Sequence, residues 1–205
     1  MAEFLLDNIT SPGTPPSGQT FVWVDSTTKK LIATDDSGIH RAMGLSHNQM
    51  VAASGVSNSA DTYVTNSGIL IPSFGIQVGQ LYLWLIHISK TAAGTTAGVV
   101  TFRIGSAQST ADTSIAALTQ TVAQAAVADS GLLVVSAYVA VSGASGILAC
   151  CFGFATAGAG FKGGKDAQSS AIDLTARQGQ YIGLSINAQT SGVWTWTGVW
   201  SRLLQ

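Results

Sequence analysis

The hexapeptide GAGFKG, Gly158 to Gly163, has the G-x-G-x-x-G spacing of a dinucleotide-binding turn and follows an apolar run. Such a turn closes backbone N–H groups on a pyrophosphate at the start of a helix, and an acid about 20 residues further on holds the ribose. Here the next residues, GKDAQSSA, offer no apolar helical face, and no acid occurs after Asp173. The stretch also fails as a phosphate loop, because Gly164 and Lys165 run into Asp166 without a glycine at the required offset. It is therefore expected to be a loop between strands, and no cofactor is expected. His40, His47 and His87 are the only histidines, and none has a partner at metal-ligand spacing. His87 falls inside an apolar strand, where a hydrogen-bonded core histidine is the expectation. No G-x-S-x-G elbow supports a serine nucleophile. The candidates for a carboxylate pair, Asp35, Asp36, Asp61, Asp112, Asp129, Asp166 and Asp173, fall mostly in turns, where Asp serves the backbone. Cys150 and Cys151 are adjacent, so on a strand they point to opposite faces, with one toward the core. The reading is a protein that is not an enzyme and holds no metal.

What must position these residues follows from composition. Of 205 residues, 46% are hydrophobic and only 9% charged, against roughly 25% in ordinary globular domains. The formal net charge is −1, which leaves no basic surface for a nucleic acid. A surface so poor in charge fits subunit contacts better than an isolated monomer. Glu3 is the only glutamate, and Gly, Ala, Ser, Thr and Val dominate, a composition that favours strands over helices. The most apolar run, Leu132 to Val141, is about half the length needed to span a bilayer as a helix, so no membrane partner is expected. The first ten residues do not resemble a signal peptide, which predicts a product that stays in the cytoplasm where it is made.

Three units are expected. Residues 1–19 read as an extended arm, with Phe4, Leu5, Leu6 and Ile9 as its large apolar side chains and Pro12, Pro15 and Pro16 behind them. Residues 20–43 read as a three-stranded meander, in which Phe21, Trp23 and Asp25 share one face. A unit of that size buries too little area to hold its own shape. Residues 48–205 read as a β-sandwich of about eight strands at spacings of ten to fifteen residues, a jelly roll. Its central strand, QLYLWLIHISK, places Leu81, Leu83, Leu85 and His87 on one face and Tyr82, Trp84, Ile86 and Ile88 on the other, and both faces should be covered. Residues 111–129 fit a helix through Ile115, Leu118, Val122 and Ala126, or a strand over SIAALTQT with a loop behind it; the strand is preferred. SAIDLTA is expected to be a further strand.

In VWTWTGVW, Trp194 and Trp196 share a face, and Gly198 is expected to bulge the strand and re-aim Trp200. With Trp84, these side chains either fill the core, meet symmetry mates at an oligomer axis, or present a stacking platform for sugars.

The run TPPSGQTFVWVDSTTKKLIATDDSGIHRAM resembles the N-terminal module of tailed-phage structural proteins, through Pro16, Gly18, Trp23, Asp25, Lys30, Leu31, Asp36 and Gly38. The blocks VVTFRIGSAQSTADTSI, SGLLVVSAYVAVSGASG and YIGLSINAQTSGVWTWTGVWSRLL are similar to jelly-roll modules of phage virion proteins. The resemblance covers residues 12–43 and 78–205. It implies a homotrimeric virion component, assembled in a bacterial host. It also implies that Phe4, Leu5, Leu6, Ile9, Phe21, Trp23, Asp25 and Leu31 dock on capsid or tail proteins. Two roles are open: a capsid cement or decoration protein, or a short tail fibre that binds a host-surface glycan.

Overall fold

The computed structural model describes residues 8–27, 29–38, 40–42, 49–51, 55–57, 59–91, 95–156, 158, 160–161, 163–189 and 193–204, and every regular element among them is a β-strand. Phe4, Leu5, Leu6 and His47 lie outside the described residues.

Two sheets face each other as a sandwich. The larger contains β5 (Gln49–Val51), β6 (Gly55–Ser57), β9 (Leu81–Lys90), β12 (Asp129–Val141), β13 (Ile147–Thr156), β14 (Lys165–Gln168) and β16 (Trp194–Leu204). Its order is β14-β13-β12-β9-β16-β5, with β6 also on β16. The smaller contains β7 (Thr62–Tyr63), β8 (Ile69–Leu70), β10 (Val99–Gly105), β11 (Thr113–Thr119) and β15 (Tyr181–Asn187), in the order β11-β10-β15-β7 with β8 also on β15. The core lies between them. Tyr82, Trp84, Ile86 and Ile88 of β9, Val100, Phe102 and Ile104 of β10, and Ile182, Leu184 and Ile186 of β15 are fully buried, each at alternate positions. The expected alternation on β9 is therefore observed, β10 alternates in the same way, and residues 113–119 are the preferred strand.

Three expectations are corrected. SAIDLTA is not a strand: only Ile172 bridges, to Gly146. The polar KDAQ, expected within a loop, is instead the edge strand β14, paired with β13. Its charges, Lys165 and Asp166, suit an edge because they discourage pairing with another chain. Third, β9 is central between β12 and β16, yet it is buried on one face only; Leu81, Leu83 and Leu85 are half-exposed and His87 is exposed. The alternation of apolar residues signals strand and face, but both faces being apolar does not guarantee a second covering layer within the same chain.

The N-terminal unit forms its own sheet: β2 (Phe21–Asp25), β3 (Leu31–Thr34) and β4 (His40–Ala42) are the expected meander, and β1 (Asn8–Ile9) adds to it in parallel. The leader folds back over this sheet. Ser26 N–H donates to the Ile9 carbonyl (2.9 Å), Gly18 N–H to Asp36 Oδ2 (2.8 Å), and Ser11 Oγ meets His40 Nε2 (3.3 Å). The arm is thus tied down from residue 8 onward.

The meander finds its missing surface on its own chain. Trp23 packs edge-on to Phe74 with centroids 6.3 Å apart, and His40 lies over the same ring at 4.9 Å. Asp25 is fully buried. Its Oδ2 accepts the Ser73 N–H (3.0 Å) and the Ser73 hydroxyl, and its Oδ1 accepts the Thr27 N–H (3.0 Å). Trp23 Nε1–H donates to Thr34 Oγ1 (2.8 Å), which also meets His40 Nδ1 (2.7 Å). A buried carboxylate is tolerable only with such partners. Its choice of the loop at 73–74 fixes the meander against the sandwich.

Lys30 sits at this junction. Burial, then the Arg202 charge on β16, lowers its pKa from 10.5 to about 8. The folded value lies below the unfolded one, so the full cost is present below pH 8 and is relieved as pH rises from about 8 toward 10.5. Lys30→Met is expected to raise stability at pH 7, by less than about 1 kcal/mol given the partial exposure, and the melting midpoint with it. It should also flatten the rise in stability expected of the parent between about pH 8 and 10.5. A variant whose midpoint still climbs as steeply would refute this origin.

Candidate functional site

The residues expected to dock on a virion are divided by the structure. Trp23 and Asp25 are buried inside the chain and face residues 73–74, so they are not available to a partner. This corrects their assignment: they dock the meander in cis. Ile9 and Val22 are exposed, and Phe21 and Leu31 are half-buried. Ile32, which the sequence reading did not single out, is the buried apolar partner of Trp23 across the ladder.

The tryptophans also divide. Trp84, Trp194 and Trp196 are fully buried core residues. Trp84 Nε1–H donates to the Ser67 carbonyl (2.6 Å), and its ring meets Phe102 edge-on at 5.9 Å. Trp194 is edge-on to both Phe154 and Phe161. The register of β16 slips between Trp196 and Gly198, the expected bulge. Before it, Trp194 and Trp196 point inward; after it, Val199, Ser201 and Leu203 do. Trp200 is thereby turned to the outer face. There it lies beside Leu85, whose other neighbour in register is Val134. The next outer row but one runs Ala149, Tyr138, Leu81 and Leu204. Tyr138 is 43% exposed and the others of these residues are half-exposed. Between these two apolar rows lies a mixed one, Cys151, Ser136, Leu83 and Arg202, and beyond Leu85 the face turns polar at His87 and Thr197. The outer face of the smaller sheet is polar, with Thr101, Arg103, Ser185 and Tyr63 in neighbouring register positions.

The groups considered for chemistry are held structurally. Of GAGFKG, the described Gly158, Gly160 and Phe161 lie outside any strand, and their N–H donors are taken by a carboxylate of this chain. Asp129 accepts N–H groups from Gly158 (3.0 Å), Gly160 (2.9 Å), Phe161 (2.8 Å) and Ser130 (2.8 Å). Desolvation pushes the Asp129 pKa up, but these four donors outweigh it and hold the carboxyl below its ordinary value. A Cβ at Gly160 would come within 2.4 Å of Asp129 Cβ, which is why a glycine stands there. Beside it, Lys90 Nζ donates to the carbonyls of Thr91, Ala125 and Val127. Burial lowers the His40 pKa against the pull of Asp35 and Asp25, and both ring nitrogens have hydroxyl partners. His87 is not the core histidine expected. Its parity places it on the outer face, where Nδ1 meets Thr197 Oγ1 at 2.8 Å. Cys150 is buried, which pushes its thiol up to about 12, while Cys151 is exposed, as adjacent strand positions require.

One cleft is built from segments far apart in sequence. It has a volume of about 490 Å³ and is lined by Asp61, Tyr63 and Asn66 on one wall and Gln108, Ser109 and Thr110 on the other. Arg103 holds the walls together. Its Nη2 pairs with Asp61 Oδ2 (2.5 Å), its Nη1 donates to the carbonyls of Thr110 (2.9 Å) and Asp112 (2.8 Å), and its Nε donates to Ser185 Oγ (2.7 Å). Ser185 Oγ in turn donates to Asp61 Oδ2 (2.9 Å). The β10–β11 tip is braced by Asp112, which accepts the N–H groups of Ala107 (3.0 Å) and Ser109 (3.3 Å). The Tyr63 phenol end sits against Gly183, where any Cβ would collide with its oxygen. Desolvation is the main reason its phenol pKa is raised. In the sequence the sole hint of this cleft was a scatter of turn-type Asp, Asn and Ser residues. No family model matches the chain, and no curated protein matches it, so its function is read from the two outer faces of the sandwich.

Proposed function

We propose that this protein is a non-enzymatic structural component of a tailed-bacteriophage virion, a capsid-bound cement or decoration protein that works as a homo-oligomer, with a trimer as the expected form. The observation that carries the reading is the pair of apolar rows on the outer face of the larger sheet. Partly exposed rows of large apolar side chains, here Val134, Leu85 and Trp200 and then Tyr138, Leu81 and Leu204, favour contact with another protein, and a second copy of the chain supplies a matching face. The low content of charge, 9% of residues, points the same way.

Two further features support it. The strand orders β5/β6-β16-β9-β12 and β7/β8-β15-β10-β11 support a jelly-roll reading, with the β13–β14 hairpin as an addition at the edge. Jelly rolls are frequent in viral capsids, although fold alone does not assign function. Secondly, the meander is fixed to the sandwich with Ile9 and Val22 exposed, and those side chains are available to a neighbouring shell protein. The strand edges β1 and β4 would accept an added strand there.

Leu85→Glu and Trp200→Glu are the tests. Light scattering of the full chain should give an oligomer for the parent and a folded monomer for each variant. A parent that is monomeric at tens of micromolar, or variants that keep its mass, would sink the proposal. Copy number in purified particles then separates the roles: abundance comparable to the shell protein supports a head position, and a few copies per particle support a short tail fibre.

A further inference from the structure

The polar cleft between residues 61–66 and 108–110 goes beyond any assembly role. We infer that it is a binding site for a neutral saccharide. Its charge comes first. The formal charges at the cleft are Asp61 and Arg103, paired at 2.5 Å, and Asp112, whose carboxylate is occupied by the Ala107 and Ser109 N–H groups. Every nitrogen of the Arg103 guanidinium is already committed, to Asp61, Ser185 and two carbonyls. An anion would find no open cation and would meet Asp61; a cation would find a carboxylate that is already neutralised. A neutral ligand is what remains.

Hydrogen-bonding capacity comes second. Neither the Asn66 nor the Gln108 carboxamide has a partner among the described residues, and each both donates and accepts. Asp61 Oδ1 is enclosed without a partner, so acceptor capacity also lies unused beneath the floor. Ser109 and Thr110 add hydroxyls. A sugar presents adjacent hydroxyls that each donate and accept, which matches such a lining. A peptide would need apolar pockets for its side chains, and Tyr63 is the one aromatic group in the lining.

Backbone geometry comes third. Asn66 has φ 64° and Gln108 has φ 50°. Asn66 occupies the third position of a turn closed by Ser67 N–H to the Val64 carbonyl (3.0 Å), which asks for a left-handed residue that Asn tolerates. Gln108 is different, because a long side chain there is disfavoured and glycine would be easier. It is held in place by the Asp112 brace, and its carboxamide reaches across to Gly68, where a Cβ would come within 2.5 Å of Gln108 Oε1. Strain retained where the loop is otherwise rigid is a mark of a functional position. The walls are thus preorganised, which lowers the entropy lost on binding.

The test uses the full chain on an array of neutral hexose and N-acetylhexosamine oligomers beside sialylated and sulfated ones. The parent should bind neutral members. The double variant Asn66→Gly, Gln108→Gly removes both carboxamides while relieving the backbone, so it should fold normally and lose at least about tenfold in affinity, as expected for one or two lost hydrogen bonds. No binding to neutral glycans, binding to acidic glycans only, or equal affinity of parent and double variant would each overturn the assignment. The oligomer test reads the opposite sheet, so either proposal can fail alone.

Discussion

Asp25→Ala is expected to release the meander from the sandwich without unfolding the sandwich. The carboxylate is fully buried, and its removal strands the Ser73 N–H, the Ser73 hydroxyl and the Thr27 N–H. Each stranded group costs about 1–3 kcal/mol, offset in part by no longer burying a charge, for a net loss of about 2–4 kcal/mol. Four short strands around Trp23 and Ile32 have little stability to set against that loss. Hydrogen exchange should therefore show Trp23 and Ile32 amides exchanging quickly in the variant, while Trp84 and Val135 stay protected. If both regions keep their protection, or both lose it together, the Asp25–Ser73 link is not what holds the unit.

Trp84→Ala is expected to have the largest effect on the sandwich itself, a loss of about 3–5 kcal/mol in global stability. Trp84 is fully buried on the central strand β9, against Tyr82 and Phe102. The change opens a cavity between the sheets and leaves the Ser67 carbonyl without its indole donor. Trp200→Ala, the same substitution on the outer face, should cost the single chain far less and act on assembly instead. Denaturant midpoints at low protein concentration separate the two. Similar losses for both would mean that the bulge at Gly198 does not divide inner from outer tryptophans.

Much of the sandwich was legible because side-chain alternation is a local property. The parity of Tyr82, Trp84, Ile86 and Ile88 determines which residues face inward whatever the strand later pairs with, and the same holds for Val100, Phe102 and Ile104. Gly198 could be read as a bulge because a glycine inside a strand marks one, and the buried parity does change across it, from Trp194 and Trp196 to Val199, Ser201 and Leu203. KDAQ was missed because an edge strand is made by a neighbour's unpaired backbone, here that of β13, and needs no apolar pattern of its own. His87 was misplaced because the face it shares with Leu81, Leu83 and Leu85 was expected to be covered, whereas coverage is decided by what packs there.

The sequence by itself determined that the chain is built of strands, that residues 20–43 make a small meander, and that this meander needs another surface. Only the tertiary structure decided whose surface that is. Asp25 reaches a serine 48 residues away in the same chain, and no local pattern distinguishes that serine from any other. The cleft has the same origin: Asp61, Arg103 and Ser185 meet across a sheet, joined by charge and hydrogen bonds between segments more than forty residues apart. Periodicity is written along the chain, whereas partners of polar groups are chosen in space.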